Sequence, residues 1–143
     1  VTVTDADLTL QVYVRDSGLL HALVNLPTHD DLVSHPKVGT SWEGFIIEEI
    51  ITQLRLHTSE CFFWRTYQGA ELDLLVVRGR QRIGFEIKHT SAPVLTPSMR
   101  LAVTDLKLDA LHVIHAGVHA YAMAERIRTV PVAQLVEMLA TLE

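Results

Sequence analysis

Apolar residues recur along this chain with two different periods, and the alternation of those periods predicts its elements. Near the start, Leu8, Leu10, Val12 and Val14 occupy every second position, so residues 1 to about 14 read as an edge strand or a tail. "RDSGLLHALVNLP" predicts a short helix, capped by Asp16 or Ser17 and closed by Asn25 to Pro27. "THDDLVSHPKVGT" is polar and interrupted by Pro36 and Gly39, hence a loop. A strong helix is expected from Ser41 to about His57. "CFFWRTY" is aromatic and predicts a strand, and "ELDLLVVRGRQRIGFEIKHT" predicts two more around a turn. Pro93 and Pro97 break the chain before a helix running to about Leu108. "ALHVIHA" is a buried strand, "HAYAM" or "ERIRTV" a weaker one, and "PVAQLVEMLATL" a last helix with Pro131 at its start. Helix, three strands, helix and strand in this order imply an α/β fold, a mixed sheet with helices packed on it. The expected layout is an N-terminal strand and helix extension over 1–40 and a globular unit over 41–143.

Composition narrows the function classes. The 143 residues are 48% hydrophobic and 20% charged, a globular balance with enough chain for a core. No apolar run approaches a membrane span, and no basic leader opens the chain. Because the first residue is Val1 and not Met, a fragment of a longer protein is expected. A single cysteine, Cys61, excludes an internal disulfide and suits a reducing, cytoplasmic setting. The formal charge of −5 argues against indiscriminate nucleic-acid binding, so a phosphate contact must be local. Arg78, Arg80, Arg82, Lys88, His89 and Arg100 could form such a patch. Solubility of the turn explains those arginines equally well.

The quoted hairpin carries the unusual chemistry. With a two-residue turn at Gly79-Arg80, Arg78 pairs with Gln81 and Asp73 falls opposite Glu86. Strict alternation then puts Leu72, Leu74 and Val76 with Ile83, Phe85 and Ile87 on one face, and Glu71, Asp73, Glu86 and Lys88 on the other. Facing carboxylates repel, and a divalent cation between them reverses the sign because hard cations take carboxylate oxygens as ligands. Lys88 would share that face, and Gly84 would leave room for close approach. The alternative is a wet sheet face with ordinary charge pairs.

In "GTSWEGFIIEEIITQL", Glu43 precedes Ile47, Ile50 and Leu54 by four, seven and eleven residues, at the centre of the apolar stripe. A capping box from Thr40 to Glu43 is the competing account of the same glutamate. One helix acid, Asp73 in "ELDLL", and Glu86 with Lys88 in "FEIKH" together resemble the PD-(D/E)XK nuclease superfamily. That likeness implies a restriction-endonuclease-like core of helix, three strands, helix and strand over 41–143. Leu72 stands where the motif's name has proline. More narrowly, "YVRDSGLLHAL", "SWEGFIIEEII", "WRTYQGAELDLLV" and "GFEIKHTSAP" resemble the C-terminal domain of AAA-type ATPases catalogued as domain of unknown function 4143. That resemblance implies an upstream ATPase domain and winged helix in the same chain, with ATP bound only there. The superfamily likeness implies Mg²⁺ or Mn²⁺ held by Glu43, Asp73 and Glu86, with Lys88 orienting water or stabilising charge, in the hydrolysis of DNA phosphodiesters. A silent module of the same fold, docking protein or DNA to regulate the ATPase, is the rival, and an oligomerisation domain a third possibility.

Other constellations are weaker. His112, His115 and His119 lack a fourth ligand, and three-residue spacing on a strand sends the first two to opposite faces. They are expected to be structural or surface histidines. Trp42, Trp64 and Tyr67 could stack on bases but have core spacing. Ser17 and Ser91 lack a His/Asp partner pattern. The apolar face of the last helix packs on the sheet or on a partner.

Overall fold

The computed structural model describes residues 2–3 and 38–142. The short helix at Asp16–Pro27 and most of the first strand therefore lie outside the described residues. The elements are β1 (Thr2–Val3), α1 (Val38–Gln53), β2 (Cys61–Arg65), β3 (Glu71–Arg78), β4 (Gln81–Lys88), α2 (Pro97–Asp105), β5 (Ala110–His115), β6 (Ala122–Ala124), β7 (Ile127–Pro131) and α3 (Leu135–Leu139). They build one seven-stranded mixed sheet in the order β1-β2-β3-β4-β5-β7-β6. β2, β3 and β4 are antiparallel, whereas β4, β5 and β7 run parallel. The parallel β4–β5 step needs a crossover, and α2 supplies it. The α/β architecture expected from the element order is the one observed.

Helices cover both faces. Ile46, Ile47 and Ile50 of α1, Leu54 just after it, and Leu135 and Leu139 of α3 pack on Leu74, Val76, Ile83, Phe85, Ile87, Ile114 and Val130. On the other face, Met99 and Ala102 of α2 meet Leu72, Leu75, Leu111, Val113 and Ile127. Each fully buried Val, Leu, Ile, Phe or Met side chain among them stabilises the fold by about 1.5–3 kcal/mol. The last helix thus turns its Leu135–Leu139 edge to the sheet and leaves Val136 half exposed.

Both long helices stop before the sequence pattern does. α1 was expected to reach His57, but Arg55 takes a left-handed φ of 51°. Its N–H donates to Thr52 O while Leu56 N–H donates to Ile51 O, which closes the last turn. α2 ends the same way: Lys107 has φ 52°, and Leu108 N–H reaches back to Val103 O. Glycine usually marks such closures, and here basic residues occupy the position. Apolar Leu56 and Leu108 follow them, so burial of the next side chain sets the stop. At its other end α1 starts at Val38, two residues before Thr40, so the Thr40–Glu43 box does not mark the helix start. Pro131 closes β7 instead of opening the last helix, and a 3₁₀ turn, Val132–Gln134, intervenes before α3. Both "HAYAM" and "ERIRTV" contribute strands, β6 and β7, paired antiparallel.

One buried histidine makes the fold sensitive to acid. His112 is 6% exposed, tilted against the Phe85 ring, and neither ring nitrogen has a hydrogen-bond partner. Burial, with a smaller push from Arg128, lowers its pKa to about 4. The unfolded chain therefore binds a proton near pH 6.5 that the folded chain refuses, so stability falls as pH drops below 6.5 and the loss is complete near 4. Urea unfolding at pH 7.5 and pH 4.5 is expected to give a contribution of about 2–3 kcal/mol from this group. His112→Leu should remove that part of the difference. An equal pH dependence in the variant would refute it.

Candidate active site

The hairpin is built as the turn chemistry demands. Gly79 adopts φ 61° in a two-residue loop, and pairs run from Arg78–Gln81 to Leu74–Phe85. There the paired ladder ends, one step short of Asp73 and Glu86. The cause lies on the other side of β3. Phe62 pairs with Leu75 but Trp64 pairs with Leu72, so Asp73 and Leu74 together oppose Phe63 alone. This is a β-bulge, which adds a residue to one strand and re-aims its side chains. Strict alternation fails there as a result. Leu72 belongs to the α2-side cluster with Leu75, not with Leu74 and Val76. β4 stays regular, held by β5 through Glu86–Val113, Ile87–Ile114 and Lys88–His115.

Asp73 fills the gap so created. Its Oδ2 accepts the Ile87 N–H at 2.7 Å, a side chain taking up a backbone donor where the ladder has stopped. Next to it Glu86 is only 4% exposed. Its Oε1 receives the Lys88 ammonium at 2.6 Å, and its Oε2 is buried with no hydrogen-bond partner. Glu43 arrives from α1. Trp42, beside it in sequence, packs edge-on against His89 with ring centroids 5.4 Å apart, which ties this stretch of the helix to the end of β4.

The electrostatics bind these groups into one centre. Burial, then the charges of Glu86 and Glu43, push the Asp73 carboxyl well above the usual range, against the pull of the Ile87 N–H and Lys88. Burial likewise raises Glu86, with Glu71 and Glu43 adding to it while Lys88 opposes. Burial works against the Lys88 ammonium, but Glu86, Asp73 and Glu71 outweigh it and raise its pKa. Lys88 is therefore a firmly protonated cation. The charges of Glu43 and Lys88 thus both reach Asp73 and Glu86, which in turn act on each other.

Three hard carboxylate donors, one of them with an orphaned buried oxygen, suit Mg²⁺ or Mn²⁺. Among the described residues, however, no three His, Cys, Asp or Glu side chains are already gathered in a chelating arrangement. The donor types fit a cation, while Lys88 holds Glu86 in the arrangement seen here.

Several expectations change. Gly84 does not leave room for a ligand, because a Cβ there would lie 2.7 Å from Leu108, 3.0 Å from Leu111 and 3.2 Å from Leu72. The space belongs to the α2-side core. The turn arginines Arg78, Arg80 and Arg82 do not gather around Lys88 either. Arg78 is clamped to Glu60 at 3.1 Å and to Leu54 O at 2.7 Å. Arg78, Arg80 and Arg82 flank the turn, while Lys88 sits six residues beyond Arg82, about 20 Å along the strand. His115, by contrast, is the structural histidine expected: it is fully buried, its ring 6.3 Å from Tyr121 and its Nδ1 accepting the Gly117 N–H. Glu71, placed on this face by alternation, adds charge to Glu86 and Lys88. One contributor escaped sequence reasoning about the site: Ser98 of α2 both donates to Glu71 O and accepts from Glu71 N–H, anchoring β3 just before the bulge. It has no sequence signal, since Ser98 meets Glu71 only through the packing of α2.

A family model described as domain of unknown function (DUF4143) matches residues 38–135. Uncharacterized proteins of Mycobacterium bovis and Mycobacterium tuberculosis are each 40% identical over 125 residues, 87% of this chain. The chain spans 28% of the length of these relatives. No solved structure matches it.

Proposed function

This chain belongs to the DUF4143 family, and from that footing we propose that its acidic centre is a divalent-metal site for phosphodiester hydrolysis, with DNA as substrate. Glu43, Asp73 and Glu86 would hold Mg²⁺ or Mn²⁺. The observation that carries this reading is Glu86, buried with one oxygen on Lys88 and the other without a hydrogen-bond partner, beside Asp73, whose carboxyl is raised by burial and by the charges of Glu86 and Glu43. A chain keeps such a costly cluster in its interior for a cation or for chemistry. A bound cation would supply charge for the phosphate and a more acidic water. Because Lys88 stays protonated, it serves as a donor to developing negative charge and not as a general base. Burial of Glu86 against β5 keeps bulk water from its carboxylate and strengthens its hold on either cation. The rest of a longer chain, including an ATPase and a winged helix, would deliver or release the DNA.

A silent docking module of the same fold is the second reading, favoured by the net charge of −5 and by the absence, among the described residues, of a preformed chelate. Mn²⁺ titration separates the two. Saturating Mn²⁺ is expected to raise the melting temperature by several degrees, and Mn²⁺ with plasmid, branched or single-stranded DNA should yield nicked or shortened products. A melting temperature indifferent to Mn²⁺, with no product from any of the three substrates, would leave the docking module.

A further inference from the structure

We infer that Lys88 is the resident counter-ion of the acidic centre, so that a divalent cation binds by displacing its ammonium from Glu86. This rests on the metal-site reading above and adds to it the order in which the groups exchange partners. Lys88 Nζ lies 2.6 Å from Glu86 Oε1, a charge-assisted bond at the short end of its range. The Glu86 side chain is 5% exposed whereas that of Lys88 is 38% exposed. The carboxylate is fixed and the ammonium has a way out to water.

Charge balance explains the pairing. Glu86 and Glu43 act on Asp73, Glu71 and Glu43 act on Glu86, and Lys88 is a cation acting on both buried acids, Asp73 and Glu86. While it sits on Oε1, Glu86 cannot offer both oxygens to an ion, in keeping with the absence of a gathered chelate among the described residues. A cation that takes Oε1 together with the unpartnered Oε2 sends the ammonium outward. There it meets a phosphate oxygen, so cation and phosphodiester bind with positive coupling. Either ligand alone must work against the internal ion pair.

The test is calorimetric titration of Mn²⁺ alone, without nucleic acid, into the whole chain and into Lys88→Met and Lys88→Arg. Lys88→Met is expected to bind Mn²⁺ about tenfold more tightly than the parent, because a competing charge has gone and the apolar stem remains. Lys88→Arg keeps the charge and should bind like the parent. Equal or weaker binding by Lys88→Met overturns the inference while leaving the metal site standing. No binding by any of the three chains overturns the metal site itself, and this inference with it. Should Lys88→Met not fold, the parent chain still decides the matter: saturating Mg²⁺ is expected to move the Lys88 Nζ resonance in a nitrogen-15 spectrum, and an unmoved resonance overturns the displacement.

Discussion

Asp73→Asn is expected to fold as well as the parent chain, or better, and to lose at least about a hundredfold in Mn²⁺ affinity, about 3 kcal/mol. The two effects separate because Asp73 has two duties. Its Oδ2 takes the Ile87 N–H at 2.7 Å, and an asparagine carbonyl can do the same. Its charge is a liability without a cation, since burial and the charges of Glu86 and Glu43 raise its pKa. The sign follows directly. The folded chain holds this proton more tightly than the unfolded one, so folding stability without metal declines as pH rises above the ordinary value of 3.8. Asparagine removes that decline. Asp73→Ala loses both duties and also leaves the Ile87 N–H without its acceptor, at a cost of about 1–3 kcal/mol. Chemical denaturation across pH, with and without Mn²⁺, distinguishes the three chains. An Asp73→Asn variant that still gains the full Mn²⁺ stabilisation would remove Asp73 from the ligand set.

Gly117→Ala is expected to destabilise the fold by about 3 kcal/mol or more, at the upper end of overpacking costs. A Cβ at this position would overlap the Ser91 carbonyl oxygen and crowd His115 Nδ1 at 2.9 Å. The obstacle is backbone, and the backbone is tied on every side. Ala116 N–H donates to Thr90 O at 2.9 Å, Gly117 N–H to His115 Nδ1 at 3.1 Å, and Tyr121 OH to Pro93 O at 2.7 Å. Gly84→Ala meets only the ends of leucine side chains, which can turn aside, so it should cost clearly less. Urea midpoints of the two variants make the comparison, and the opposite order would show that the loops after β4 and β5 yield more easily than these bonds imply. The Thr90–Ser91 backbone that this Cβ would push against follows Lys88 by only a few residues, so Gly117→Ala should also weaken Mn²⁺ binding in whatever fraction folds.

Much of this was legible before any coordinates. The two-residue turn at Gly79-Arg80 and the pairing of Arg78 with Gln81 follow from local chemistry, since φ > 0 at the turn and alternation beyond it leave one register. The stripe below Glu43 likewise follows from period alone: Ile47, Ile50 and Leu54 are all buried. Other features were not legible, because they depend on partners distant in sequence. The bulge at Asp73 exists because Phe63 on β2 faces two residues of β3, and a strand's own alternation carries no mark of what its neighbour will skip. The stops at Arg55 and Lys107 lack the glycine that usually announces them.

From the amino-acid order alone come the element sequence, the mixed α/β sheet, and three acids and a lysine on segments that can converge. These depend on local rules, namely period, turn geometry and the cost of charge among apolar neighbours. Only the folded chain decided that β3 kinks at Asp73, that Lys88 is spent on Glu86 and that Gly84 is walled in by leucines. Those outcomes come from competition between groups far apart along the chain for the same few ångströms, and that competition is settled by packing and by low-dielectric electrostatics once the layers close.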